Sequence, residues 1–287
     1  MILIADSGST KTDWRLIDEK KQIHQFKTQG INPYFQTEEQ IAEIIKLELI
    51  DKLDFALHAL ITQQNLNVFF YGAGCKAIDK KEIIKNALLS YFTNAAIVVE
   101  SDMLAAAYAL CGNKPGIVAI LGTGANTCYY DGKQIVENKT SSGFILGDEG
   151  SGAHIGKTLV QAFLNDELPN ELAKRFIERF KLSKEDIIDA VYRKPLPNRF
   201  LASFSKFVYQ NIKEQYMIDL VTGCFHLFFN KYICKYTHNK NVIFHCTGSV
   251  AFYYSNILKA VANEKGIVVG TIVESPISAL TLYHLGE

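Results

Sequence analysis

The sequence lacks net charge, since thirty Lys and Arg residues balance thirty Asp and Glu residues. No excess of either sign draws in nucleic acid or an anionic membrane, which argues against both partners. It also lacks a Cys-x-x-Cys pair among its six cysteines, at 75, 111, 128, 224, 234 and 246. Most have apolar neighbours, as in Val242-Ile243-Phe244-His245-Cys246, and they read as reduced, buried residues of a cytoplasmic protein. The seven histidines form no His-Glu-x-x-His or similar spacing, so no protein-held zinc is expected, and His245 reads as a core histidine. With no Gly-x-Ser-x-Gly elbow, a serine hydrolase has little support. No apolar run is long enough to span a bilayer: Met217 to Cys234 is broken by Asp219, His226, Asn230 and Lys231. No cationic stretch leads into an apolar one at the N-terminus, so a signal peptide is not expected and the sequon Asn138-Lys139-Thr140 reads as accidental. Low-complexity linkers are missing too.

What is there begins with Ile2-Leu3-Ile4-Ala5, an apolar run that enters Asp6-Ser7-Gly8-Ser9-Thr10-Lys11 and resumes as Thr12-Asp13-Trp14-Arg15-Leu16-Ile17. A buried strand ending in such a turn presents backbone N–H groups, hydroxyls and one carboxylate at a single point. The first two suit phosphate oxygens, and the carboxylate suits a hydrated Mg²⁺. A second copy of this grammar follows: Gly116-Ile117-Val118-Ala119-Ile120-Leu121 enters Gly122-Thr123-Gly124-Ala125-Asn126-Thr127 and leaves through Cys128-Tyr129-Tyr130. Two copies predict two related sheets, each offering a turn to one ligand.

At 287 residues the chain is more naturally two domains than one. In the first half the pattern predicts strands at the opening hairpin, at 22–27, at 67–71 and at 96–99. Helices are predicted beyond a Thr37 cap, over Lys80–Phe92 and over Met103–Cys111. In the second half a third strand is predicted near Gln134–Glu137, then inserted helices over about 153–238. Strands at Val242–Cys246 and Ile267–Val273 follow, with helices at Ala251–Ala262 and Pro276–Leu285. The expected domains are 1–112 and 113–287, hinged near Gly112–Gly116, with the last helix packed on the first domain. The fold class is α/β, each domain built on a mixed sheet.

Four groups of residues carry candidate chemistry. Asp102 stands past the C-terminal end of a buried parallel-type strand, where open α/β sheets place ligand crevices, although Asp also caps helices well. Asp6 follows four apolar residues, and a Mg²⁺ held through water would offset the cost of burying its charge. Gly147-Asp148-Glu149-Gly150 sets two carboxylates between glycines that admit close approach, Asp148 being the stronger candidate for ligand contact. Ser151-Gly152-Ala153-His154-Ile155-Gly156-Lys157-Thr158 nearly fits a P-loop, but an acidic segment precedes it instead of an apolar strand. It reads as a helix whose glycines permit close packing.

Segments Asp6–Lys11, Gly122–Asn126, Gly147–Gly152 and Thr247–Ser249 together resemble the phosphate, sugar and adenosine motifs of the sugar kinase–Hsp70–actin ATPase superfamily. Within it the chain looks most like the N-acetylglucosamine kinase group, which includes the BadF/BadG/BcrA/BcrD-type ATPases. The resemblance implies two ribonuclease-H-like domains closing on MgATP and a hexosamine. It puts Ser9, Thr10, Lys11, Gly122, Thr123 and Gly124 at the ATP phosphates, with Asp6 near Mg²⁺ and Gly248 and Ser249 at the adenosine. Asn32, Asn126, Ser142, Gly143 and Asp148 match sugar-holding positions, and Asp102 matches the base that takes a proton from the attacking 6-hydroxyl. Where some members carry an aromatic residue and a histidine, this chain has Ser141-Ser142-Gly143-Phe144, which leaves N-acetylglucosamine, glucosamine and N-acetylmuramic acid open as substrates. Oligomeric state, a homodimer included, is likewise open. An ATPase activator passing electrons from an iron–sulfur cluster shares this fold, but scattered cysteines argue against it, and neither haem nor an iron–sulfur cluster is expected. A sugar-sensing module is the third reading, against which Asp102 argues.

Overall fold

A computed structural model of the chain describes residues 1–8, 10–54, 57–58, 61, 65–236 and 242–286. The chain divides into two compact units, Met1–Gly112 with Pro276–Glu287, and Asn113–Ser275.

The first unit holds β1 (Ile2–Ser7), β2 (Lys11–Ile17), β3 (Ile23–Gln29), β4 (Asn67–Gly72) and β5 (Ala96–Ser101), arranged β3-β2-β1-β4-β5. The β1–β2 and β2–β3 pairs are antiparallel, whereas β1, β4 and β5 run parallel. Central β1 is covered on both faces, which is why it reads as a continuous apolar run. Leu3 and Ala5 join a core with Trp14, Phe70 and Ile41, while Ile4 joins a second with Tyr71, Ala105 and Leu280. Edge strand β3 instead alternates and keeps polar side chains in water. Helix Glu38–Glu48 starts at a capping box formed by Thr37 and Gln40, so the Thr37 cap expected from sequence is present. Helix Ile78–Leu89 begins two residues earlier than the apolar spacing indicates, and helix Asp102–Cys111 follows β5. The last helix, Ile277–Leu285, packs inside this unit on Asp102–Cys111, with Tyr283 stacked on Tyr108 at 4.4 Å and His284 Nε2 3.0 Å from the Tyr71 hydroxyl. Burial drives the His284 imidazole down to about 4, so it is neutral in the folded protein.

The second unit holds β6 (Gly116–Leu121), β7 (Ala125–Tyr130), β8 (Ile135–Asn138), β9 (Phe244–Thr247) and β10 (Val269–Val273). Its order, β8-β7-β6-β9-β10, and its strand senses repeat the first sheet. The fold class read from the sequence is therefore present, two mixed α/β sheets each opening with three antiparallel strands. A set of helices from Gly152–Leu164 to Gln215–Lys231 lies between β8 and β9. The single helix expected over Ala251–Ala262 is two, Ser249–Tyr253 and Ser255–Glu264, broken at Tyr254. Apolar residues continue through the break, so their spacing does not mark it. The Tyr254 ring is buried and its hydroxyl donates to the Ser205 carbonyl at 2.6 Å.

Helix Gly152–Leu164 runs through the P-loop-like segment. A Cβ on Gly156 would stand 1.8 Å from the Leu201 carbonyl oxygen, so this helix meets helix Pro197–Ser203 backbone to backbone. Lys157 Nζ donates to the Phe144 carbonyl at 3.1 Å. Short helix Gly143–Leu146, not a strand, leads in, and the P-loop geometry is missing. His245 Nδ1 accepts from Thr271 N–H at 3.1 Å, as befits a satisfied core histidine. Five cysteines are buried, but Cys234 is exposed, because the turn Ile233–Lys235 buries Ile233 and turns its neighbour outward. Among the described residues no helix is long and apolar enough to cross a membrane.

Candidate active site

In the first unit, parallel pairing sets the C-terminal ends of β1, β4 and β5 side by side, with Asp6 opposite Tyr71 and Tyr71 opposite Glu100. The turn after β1 is closed by Gly8 N–H donating to the Lys11 carbonyl at 3.0 Å, and the Thr10 carbonyl accepts from Gly30 N–H at 3.0 Å. Ser9 lies outside the described residues. Beneath the turn, the buried hydroxyls of Ser7 and Thr12 share a 2.7 Å hydrogen bond, and Ser7 Oγ accepts from Ile31 N–H at 3.0 Å. These hydroxyls tie the turn to the chain after β3. The exposed Lys11 ammonium pairs at 2.8 Å with the buried Asp13 carboxylate, which Lys27 also approaches at 4.0 Å.

Half-buried Asp6 faces Asp13 across the β1–β2 pair. No group of three His, Cys, Asp or Glu side chains that could hold a metal occurs among the described residues. Mg²⁺ does not require one, because it keeps several waters and binds one or two carboxylates together with substrate phosphates. The Asp6 carboxylate, an oxygen donor next to the turn that follows β1, fits that ion.

Asp102 is the first residue of its helix, and the cap is Ser101, whose Oγ accepts from Leu104 N–H at 3.3 Å. The capping role open to Asp102 from sequence is thus filled by its neighbour. Part of Asp102 is exposed, yet enough protein surrounds the carboxyl that desolvation pushes it up to about 6, against the opposing hydrogen bond from Met103 N–H. Close by, burial and then the Asp102 charge push the Cys75 thiol up to about 12. Cys75 closes the tight turn Gly72–Cys75, whose Gly74 has φ +84 and would carry a Cβ 2.7 Å from Asn32 Oδ1. Asn32 and Asp102 are therefore both gathered around this turn. Asn32 Oδ1 also accepts from Tyr34 N–H at 3.0 Å.

In the second unit, Gly122 N–H donates to the Gly124 carbonyl at 3.0 Å across the β6–β7 turn. The turn rests on the start of helix Gly152–Leu164: Gly152 N–H donates to the Gly122 carbonyl at 2.8 Å and Ala153 N–H to Thr123 at 3.0 Å. Asp148, with φ +56, accepts from Ala125 N–H at 3.1 Å, and its Oδ2 would lie 3.1 Å from a Cβ on Gly124. Second turn and acidic loop are thus one structure. Ser141, which sequence reasoning missed, holds that loop together. Its Oγ accepts from Asp148 N–H at 2.7 Å and from Gly143 N–H at 3.1 Å, bracketing exposed Ser142 and Gly143. A serine two residues before a glycine at φ +80 is the local signal that could have found it. Asn126 Oδ1 accepts from Thr127 N–H at 2.9 Å on β7. Glu149 is buried and faces Lys231 and Tyr232 of the inserted helices. Desolvation opposes its charge, but hydrogen bonds from those two residues outweigh it and hold the carboxyl below its ordinary range. Its role is packing.

Gly248 lies against the Leu121–Gly122 peptide, and next to it Ser249 opens on a pocket of about 430 Å³. Lys206, Tyr209 and Gln210 wall it from one side, Tyr253 and Tyr254 from the other. These wall residues carry no sequence motif, because they come from separate helices joined only by packing.

No protein-family model matches the chain. Over 100% of its length it is similar to the structure of a candidate N-acetylglucosamine kinase from Porphyromonas gingivalis, with 40% identity, a TM-score of 0.93 and 99% of that chain covered. The N-acetylmuramic acid/N-acetylglucosamine kinase of Clostridium acetobutylicum is 28% identical over 214 residues, which are 71% of this chain and 68% of its own length. The fold alone extends to a ROK family glucokinase from Streptomyces griseus, solved with glucose and AMPPNP, at 13% identity and a TM-score of 0.56 over 98% of this chain and 97% of that one.

Proposed function

The chain belongs to the N-acetylglucosamine kinase group of the sugar kinase–Hsp70–actin superfamily, and we propose that it transfers the γ-phosphoryl group of MgATP to a hydroxyl of an amino sugar, namely the 6-hydroxyl of N-acetylglucosamine. The observation that carries this reading is Asp102: a carboxylate at the end of a parallel strand, relieved of capping by Ser101 and desolvated to about 6. Such a group is ionised for the most part at neutral pH, yet basic enough to accept a proton from an attacking hydroxyl.

Phosphoryl transfer relies on positioning and charge neutralisation more than on covalent catalysis. The first unit contributes Asp102 as base, Asn32 to the sugar, and the Ser9–Lys11 turn to the phosphates. The second contributes the Gly122–Gly124 turn to the phosphates, with Asn126, Ser142, Gly143 and Asp148 orienting the sugar. Gly248 and Ser249 receive the adenosine. Asp6 would hold Mg²⁺ through water, and the ion, when bound, supplies positive charge against the triphosphate. N-acetylmuramic acid is the second acceptor of interest, since the C. acetobutylicum relative is named for both sugars.

The test is ADP release measured with N-acetylglucosamine, glucosamine and N-acetylmuramic acid, followed by identification of the phosphorylated product. Release stimulated by at least one of them, with one phosphate per sugar, is expected. ATP turnover that ignores all three would remove the kinase reading.

A further inference from the structure

The acidic loop that carries Asp148 is packed against the inserted helices. Helix Gln215–Lys231 comes so near that a Cβ on Gly150 would stand 2.8 Å from the Phe228 Cβ. Its end delivers buried Tyr232, whose ring centroid lies 5.8 Å from that of Phe228. A Cβ on Gly147 would stand 3.2 Å from the Tyr232 hydroxyl oxygen and 2.7 Å from Ser141 Oγ, so the two hydroxyls meet where the loop has no side chain. Their protons can run in one direction only. The Glu149 carboxylate, kept ionised by Lys231 and Tyr232, is an acceptor alone, and the Tyr232 proton points to it. Burial and then that bond push the Tyr232 hydroxyl up to about 12, so the proton stays in place at neutral pH. Ser141 Oγ has two lone pairs, and N–H groups of Asp148 and Gly143 occupy both. The serine proton is left for the Tyr232 oxygen, to which Ser141 is hydrogen-bonded.

Resting on the kinase reading for the identity of the ligand, we infer that Tyr232 is a positioning residue for the acceptor sugar. Its hydroxyl takes the Ser141 proton, and both serine lone pairs are thereby turned to the backbone N–H groups of Gly143 and Asp148. Asp148 needs that hold, because its backbone is left-handed at φ +56, a conformation that costs any residue with a Cβ. Phenylalanine at position 232 would keep the ring packing but strip the serine proton of its acceptor. Turned toward the loop instead, that proton displaces one of the two backbone bonds. The inserted helices thus act on the sugar through Ser142, Gly143 and Asp148 without touching it.

The test is Tyr232→Phe in the full chain, with whichever of N-acetylglucosamine and N-acetylmuramic acid the parent binds more tightly. The sugar Kd from calorimetry and the sugar KM should both rise about tenfold, the scale of one hydrogen bond lost from a buried network. ATP affinity should stay within about twofold, since no bond to the nucleotide is removed. Ser141→Ala should weaken the sugar at least as much, and adding Tyr232→Phe to it should change Kd by no more than about twofold, because both variants break one chain of bonds. Effects that multiply in the double variant would overturn the inference. A sugar Kd within about twofold of the parent's in Tyr232→Phe, with or without a lower Tm, would mark the hydroxyl as structural and overturn it while the kinase reading stands. Failure of that variant to fold overturns it as well, and so does a parent that binds neither sugar. Sugar binding that weakens as expected, in a protein that transfers no phosphate, supports the inference while the kinase reading falls.

Discussion

Gly248 meets Leu121 backbone to backbone: a Cβ on the glycine would stand 2.3 Å from the Leu121 carbonyl oxygen. Gly248 also holds φ +113, outside the range of ordinary side chains, while its N–H donates to the Val273 carbonyl at 3.0 Å. This contact fastens the segment that opens the aromatic pocket to the start of the Gly122–Gly124 turn.

Gly248→Ala is therefore expected to destabilise the protein by about 2–4 kcal/mol, the combined scale of backbone strain and overpacking. Urea unfolding followed by circular dichroism reads this directly. Nucleotide affinity should fall with it, since pocket and turn lose their common anchor.

Asp102→Asn should lower turnover by roughly 10²–10⁴-fold while leaving nucleotide affinity intact. In the parent protein kcat/KM should rise with pH through about 6 and then level off, because the base must be ionised. The stability effect has the opposite sense to activity. With its pKa raised in the folded state, Asp102 binds more protons folded than unfolded between the two values, so its contribution to stability falls as pH rises through that interval. The neutral Asn removes this cost, and Tm at neutral pH should increase. A variant both inactive and less stable would argue for a structural role instead.

Asp148→Asn probes the acidic loop without forcing the backbone, since Asn tolerates the left-handed conformation found at φ +56 and can still accept from Ala125 N–H. Loss of a charged acceptor to a sugar hydroxyl is worth about 1.5–3 kcal/mol, so KM for the sugar should rise roughly 10- to 100-fold. Nucleotide affinity should stay within about twofold, as the lost bond is to the acceptor. Steady-state kinetics at saturating ATP separate the two.

Gly156→Ala and Lys157→Ala separate packing from phosphate binding in the P-loop-like segment. The added methyl at Gly156 would collide with the Leu201 carbonyl, and a loss of about 1–3 kcal/mol or more is expected in urea unfolding. Lys157 donates to the Phe144 carbonyl, so its removal should leave nucleotide affinity within about twofold, a single neutral acceptor being left to water. A large loss of ATP binding in Lys157→Ala would restore the P-loop reading.

Local patterning alone was enough to reveal the apolar runs Ile2–Ala5 and Ile117–Leu121, the turns that follow them, the Thr37 cap and the position of Asp102 at a strand end. Each is encoded in neighbouring residues through burial on both strand faces, turn chemistry or capping, so a short window contains the cause. Packing between distant segments decided the rest. Whether Ser101 or Asp102 caps the helix depends on side-chain direction, and either residue type suits the place. Ser141 gathers both ends of the acidic loop, and the break at Tyr254 is accompanied by a hydroxyl bond to Ser205. The aromatic pocket is the extreme case, with walls supplied by helices that only the tertiary fold brings together.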